Sequence, residues 1–156
     1  MSYGKLFYLK YRKRGNITFL TPSNLLREHF ILVAFTSRRG GVSRAPYDSL
    51  TLAFQTGDKS TNIIKNRQRL CQTLNLSLTS LTTAQQIHSN SVAIVTEDEV
   101  GCGAFDYQTA LSKTDALITN LFRVPLVLFC ADCLPIAIVD PKKRAVGIIH
   151  AGWKGG

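Results

Sequence analysis

Residues 124–150 read VPLVLFCADCLPIAIVDPKKRAVGIIH, and this stretch decides the fold. Val124 to Cys130, Pro135 to Val139 and Ala145 to Ile149 are near-continuous apolar runs of strand length. Asp140-Pro141-Lys142-Lys143 separates the last two with turn chemistry, in which Asp bonds nearby backbone and Pro presets φ. Runs without polar alternation predict central sheet strands buried on both faces.

Further strands flank this centre. Ser91 to Thr96 (SVAIVT) and Asp115 to Thr119 are β-rich and bounded by polar loops. Phe30 to Thr36 (FILVAFT) predicts a buried strand running into the loop Ser37-Arg38-Arg39-Gly40-Gly41. Thr61 to Leu76 places Ile63, Ile64, Arg67, Leu70, Cys71 and Leu74 near helical spacing, with Asp58 or Ser60 as N-cap and no interior Pro or Gly. A mixed α/β (α+β) domain follows, with mixed sheets and flanking helices rather than a pure sandwich.

At 156 residues, 45% hydrophobic and 19% charged, the chain is sized for one globular domain, which excludes disordered and collagen-like classes. A core of this size needs no metal or disulfide to hold it, so a metal found here would serve function. No apolar stretch approaches the roughly 18 to 20 residues of a membrane span. Lys5, Lys10 and Arg12 interrupt the first apolar residues, leaving no signal-peptide core. The expectation is a cytoplasmic protein without membrane contact, in which Cys71, Cys102, Cys130 and Cys133 are thiols, core residues or ligands.

The formal charge of +9 is concentrated: residues 1–44 hold nine Lys/Arg against Glu28 alone. Its densest part, Lys10-Tyr11-Arg12-Lys13-Arg14, lacks any accompanying nucleic-acid motif and is read as a solvated, frayed segment. Residues 1–29 are accordingly set apart as a basic N-terminal segment from a catalytic domain over 30–156. The last strand runs straight into His150-Ala151-Gly152-Trp153-Lys154-Gly155-Gly156, turn chemistry that normally delivers a chain to another packing element. Truncation is the expectation.

Few residues carry chemistry. His29, beside Glu28, is most simply a surface or half-buried residue. His88, Cys133 and His150 each sit at a strand terminus, where a sheet holds side chains rigidly yet leaves them accessible. Their separations of 45 and 17 residues match no local zinc motif, and by pattern alone a buried thiol and two locally bonded imidazoles is the better reading. The chemical case is different: two imidazoles and a thiolate suit zinc and leave a fourth position open. Cys130 and Cys71 are expected in the core, while Cys102, between Gly101 and Gly103, is undecided. Arg38-Arg39 offers guanidinium forks suited to phosphate, but no P-loop or G-x-G-x-x-G accompanies them.

Taken in order, Phe35-Thr36-Ser37-Arg38-Arg39-Gly40-Gly41-Val42-Ser43, Pro46-Tyr47-Asp48-Ser49-Leu50, Gly57-Asp58, Asn66-Arg67, Gln86-Ile87-His88, Asp115-Ala116-Leu117-Ile118-Thr119, Ala131-Asp132-Cys133-Leu134-Pro135 and His150-Ala151-Gly152-Trp153 closely resemble the YfiH-type laccase-domain family. The resemblance implies a zinc-dependent purine nucleoside phosphorylase that also deaminates adenosine and phosphorolyses methylthioadenosine. It places metal ligands at His88, Cys133 and His150, with copper as the alternative ion. A loop arginine maps to Arg38, and Asp132 stands beside the thiol as a candidate for orienting a ligand, carrying protons or capping a turn. Purine nucleosides and phosphate are the implied partners; nucleic acid is not expected. The implied fold is related to the deamidase domain of a bacterial cytotoxic necrotizing factor, lacking its C-terminal part.

The chain departs from the family at Thr51, where Asn is common, at Gln55, often His, and at Lys154, often Arg. Family members continue beyond the H-A-G-W element through a Cys-containing segment. Two other readings stand beside the phosphorylase: a peptidoglycan-precursor editing amidase, which could use the same metal site, and an inactive chain acting as a basic binding module. Laccase chemistry is least favoured, because two His and one Cys lack the further imidazoles of multicopper centres.

Overall fold

In the computed structural model, residues 8–23 and 30–152 are described. His29, Trp153 and Lys154, weighed above, lie outside them. Nine strands and one α-helix are present among the described residues, a mixed α/β arrangement with three separate sheets.

Strands β1 (Leu9–Arg14) and β2 (Ile17–Pro22) form an antiparallel hairpin, and β2 pairs in turn with the two-residue β3 (Phe35–Thr36). The basic run is therefore ordered strand rather than frayed chain, although every β1 residue is exposed. Ile17 and Phe19 on β2 reach the core, where they join Leu50, Leu70 and Leu74. The apolar stretch from Phe30 contributes only β3 to a sheet, and Phe30 itself is exposed.

Helix α1 (Ser60–Leu74) buries Ile63, Asn66, Arg67, Leu70, Cys71 and Leu74, a stripe at the i, i+3, i+4 spacing that defines one helix face. Lys59 occupies the N-cap position without a side-chain cap, and Asp58 acts one residue earlier by accepting the Lys59 N–H. The helix stops at Asn75, whose left-handed backbone lets the N–H groups of Asn75 and Leu76 return to the last-turn carbonyls. Two polar members of the buried stripe act as clasps. Asn66 accepts the Val42 N–H and donates to Ser43 Oγ and to the carbonyls of Ser49 and Thr51, tying down the loop after β3. Arg67 donates to the carbonyls of Leu52, Gly103 and Ala104 between the rings of Phe54 and Phe129.

Strands β4 (Thr82–Thr83) and β7 (Leu126–Val127) pair in parallel. The largest sheet has the order β5 (Val92–Ile94), β6 (Ala116–Thr119), β9 (Ala145–Ala151), β8 (Leu134–Asp140). β5 runs parallel to β6, whereas β9 is antiparallel to both of its neighbours. One face of this sheet packs Leu117 and Ile148 against Ala84, Val95 and Leu126.

The expectation of strands buried on both faces does not hold. β8 lies at the sheet edge, Val124 to Cys130 supplies only the short β7, and the second sheet face is open. Strand alternation and register put Val92, Ile94, Ile118, Leu134, Ile136 and Ile138 together on that face, all of them exposed. Cys130 is corrected likewise: β7 has ended by this residue, which lines a groove and is exposed. Cys71 is buried on the helix as expected, and Cys102 is half-buried.

Candidate metal centre

The register of the large sheet brings two of the three candidate ligands together. Extending the β8–β9 pairing, in which Pro135 faces His150, by one step places Cys133 opposite Gly152 and on the same side as His150. His88 arrives from the loop before β5. Its ring meets that of His150 at 4.7 Å between centroids in an edge-to-face arrangement, and its Nε2 lies 3.8 Å from Cys133 Sγ. One donor atom from each residue falls within 4.8 Å of the others.

Gly152 makes this approach feasible. A Cβ on residue 152 would come within 2.6 Å of His88 Cδ2 and 3.5 Å of Cys133 Sγ, so only glycine leaves room for the imidazole beside the thiol.

Donor chemistry and spacing fit a tetrahedral ion. Bonds of about 2.3 Å to sulfur and 2.0 Å to nitrogen hold those atoms roughly 3.6 Å apart, close to the 3.8 Å seen between His88 and Cys133. His150 is buried, Cys133 half-buried and His88 exposed, so the cluster has one closed side and one side open to a reactant.

A carboxylate that the sequence reading left without a catalytic role sits behind the cluster. Asp115 precedes β6, and continuing the β6–β9 register by one step sets it opposite His150, whose backbone N–H donates to the Asp115 carbonyl. Asp115 Oδ1 accepts from His150 Nδ1 at 2.9 Å and from the His88 N–H at 3.0 Å. Oδ2 accepts from the Ile87 N–H, the Ser89 N–H and the Ser89 hydroxyl. Burial by itself would raise the pKa of this group; the Ser89 N–H, the His150 imidazole and the other donors outweigh it and hold the carboxyl well below the usual range. The signal in the sequence was an acid leading an apolar strand run at Asp115-Ala116-Leu117.

The His88 loop is also fixed from its other end. Gln86 donates its Nε2 to the Phe129 carbonyl and accepts the Phe129 N–H, which binds the loop to the segment leading toward Cys133. His88 itself has a left-handed backbone with φ of 60°, an uncommon conformation for a side-chain-bearing residue, supported here by three consecutive N–H groups converging on Asp115.

The remaining candidates are placed apart or at the edge. Asp132 is exposed, with its Oδ1 3.8 Å from Cys133 Sγ. Desolvation, followed by the charges of Asp132 and Asp115, pushes the Cys133 thiol up in the metal-free chain. Arg38 has no hydrogen bond or ion pair to the cluster among the described residues. Its Nε donates to the Asp48 carbonyl, and its guanidinium lies 3.5 Å from the Asp48 carboxylate beside a small cavity with Arg39 and Ser49. A mostly apolar groove of about 1920 Å³ between the loop around β3 and the strands β7 and β8 does not include His88, Cys133 or His150.

Residues 32–156 match the model of the multi-copper polyphenol oxidoreductase laccase family. The chain belongs to this family. It is 40% identical over 144 residues to the purine nucleoside phosphorylase YlmD of Bacillus subtilis, a match covering 86% of the chain and 52% of the relative. The crystal structure of YlmD from Geobacillus stearothermophilus superposes with a TM-score of 0.87 at 33% identity, over 94% of this chain and 53% of that one. The adenosine deaminase RL5, from an unknown prokaryotic organism, is 33% identical over 123 residues, covering 78% of the chain and 47% of the relative. The chain thus spans about half the length of the curated relatives it matches. The family description speaks of several coppers, whereas this sequence contains three histidines in all, two of which converge on one thiol.

Proposed function

We propose that this chain carries the metal site of a purine nucleoside phosphorylase that also deaminates adenosine and phosphorolyses methylthioadenosine, with zinc held by His88, Cys133 and His150. One observation carries the reading: three donors from segments 45 and 17 residues apart in sequence converge with ligand-like spacing. Relatives named purine nucleoside phosphorylase and adenosine deaminase support the substrate class.

Zinc bound at such a site supplies Lewis acidity, which brings the pKa of water toward about 7. The chain's own residues supply the rest. His150, held from behind by Asp115, presents Nε2, and His88 closes the exposed side through its own Nε2. Cys133 must lose its proton to act as a ligand; the Asp132 carboxylate, whose Oδ1 lies 3.8 Å from the sulfur, favours the protonated thiol, so the cation itself has to drive that loss. In phosphorolysis a phosphate oxygen forms the new bond to the ribose anomeric carbon as the purine leaves. In deamination a water oxygen replaces the C6 amino group, released as ammonia. Arg38 is the cation suited to phosphate, which has to compete with the Asp48 carboxylate for the guanidinium.

The test pairs elemental analysis of the purified chain with an adenosine assay that follows inosine, adenine and ribose 1-phosphate. About one zinc per chain and turnover are expected, and Cys133→Ala should lose both. Zinc content unchanged in Cys133→Ala refutes the ligand assignment, and a zinc-loaded chain that leaves adenosine untouched refutes the activity.

A further inference from the structure

We propose that Asp115 is the positioning residue of the metal centre, fixing the ring orientation and tautomer of His150 and the backbone course of the His88 loop with a single buried carboxylate. The assignment rests on the zinc reading for its functional meaning and on hydrogen-bond geometry for its evidence.

Asp115 is 1% exposed, so an unpartnered carboxylate here would carry a large desolvation cost. Five side-chain bonds offset it, comprising three consecutive backbone N–H groups, one hydroxyl and one imidazole nitrogen. The backbone donors can only donate, leaving both carboxylate oxygens in the accepting role. His150 Nδ1 must therefore carry the hydrogen of its 2.9 Å contact, which leaves Nε2 with a free lone pair. The sheet register sets His150 on the same side as Cys133, with one of its ring nitrogens within 4.8 Å of the donor atoms of His88 and Cys133.

The two oxygens divide the work. Oδ1 bridges His150 Nδ1 and the backbone of His88, so one atom links two ligands contributed by different segments. Oδ2 takes Ile87 and Ser89, the residues on either side of His88, and holds the loop in its left-handed turn. An asparagine cannot reproduce this set. With its oxygen toward His150 and His88, its amide nitrogen meets the Ile87 and Ser89 N–H groups donor against donor. In the flipped orientation the nitrogen donates to His150 Nδ1 and forces the hydrogen onto Nε2, where it blocks ligation. Partners that orient a ligating histidine in this way are worth about 10 to 100-fold in metal affinity.

Three measurements test the assignment on the 156-residue chain. Nitrogen-15 shifts of the His150 ring in the metal-free protein at mildly alkaline pH should report the Nδ1–H tautomer; an Nε2–H tautomer overturns the proposal. Zinc affinity by competition with a chromophoric chelator should fall about 10 to 100-fold in Asp115→Asn. The visible spectrum of the cobalt-substituted protein should shift with it. A variant within twofold of the unaltered chain and with an unchanged cobalt spectrum also overturns it. Ser89→Ala removes one bond from Oδ2 and should leave the His150 tautomer intact, so a tautomer lost in Ser89→Ala counts against the division of roles. If Asp115→Asn does not fold, the tautomer in the unaltered chain decides. Should the unaltered chain fail to bind zinc, the function proposed above falls, while the Asp115 assignment is still decided by that tautomer.

Discussion

At Asp115, burial and hydrogen bonding act in opposite directions on the same carboxyl, and the hydrogen bonds win. The consequence for stability has a definite sign. An unfolded aspartate titrates near about 3.9, and the folded one lies well below it, so between those values the unfolded chain binds the extra proton. The stabilisation is fully present above roughly pH 4 and is lost as pH falls through the folded pKa. Urea unfolding of the metal-free chain should show stability dropping below that point. Asp115→Asn should be less stable at neutral pH and show a flatter acid limb. An equal acid slope in the two proteins would place the sensitivity elsewhere. The three candidate ligands stood out in the sequence because His and Cys are scarce in this chain and these three sit at strand ends, yet pattern alone favoured a buried thiol and two locally bonded imidazoles; donor chemistry and the family resemblance made them metal candidates. Asp115 did not stand out, because an acid at the head of a strand becomes informative only once the register sets it across from His150.

At the scale of elements, α1 was read over 61–76 and runs over Ser60–Leu74: its buried stripe repeats at helical spacing, whereas the Lys59 N-cap and the left-handed stop at Asn75 were not read. The strands from Val124 to Ile149 were located but misjudged in environment. Periodicity reports whether a run can be buried, whereas burial on both faces depends on what else packs there. Arg67 shows the same limit: it fell within a helical apolar pattern, and the structure makes it a 1% exposed cation bound to three carbonyls and flanked by two aromatic rings. Burial pushes this guanidinium down to about 10, still well above neutrality, so it is charged in the folded protein. The clasp ties α1 to the Leu52 and Gly103 segments, which are otherwise distant in sequence. Removing it in Arg67→Ala strands three carbonyls and opens a cavity, at a cost of about 3 kcal/mol or more. Chemical denaturation should register that loss, with Arg67→Lys intermediate because an ammonium lacks the planar fork. A change below about 0.5 kcal/mol, the scale of an ordinary surface substitution, would mean the clasp contributes little.

For the whole molecule, the two faces of the large sheet are unequal among the described residues: Leu117 and Ile148 pack into a core on one side, while the other carries a row of exposed aliphatic side chains. The metal candidates and Asp115 lie on the same side as Leu117 and Ile148, which explains how a defined site coexists with an open face. Six branched aliphatic side chains lie together on that face, among them Ile94 at 72% and Ile138 at 56% exposed. A contiguous apolar patch of this kind favours association in water. Sedimentation velocity of the isolated chain should therefore show species larger than monomer that grow with protein concentration. Ile94→Lys with Ile138→Lys should suppress them, because each ammonium would have to be desolvated on contact. Both substitutions point away from His88, Cys133 and His150, so zinc content should be unchanged in the double variant. Association that persists in that variant would locate the adhesive surface elsewhere, and loss of zinc alongside association would show that the two sheet faces are coupled.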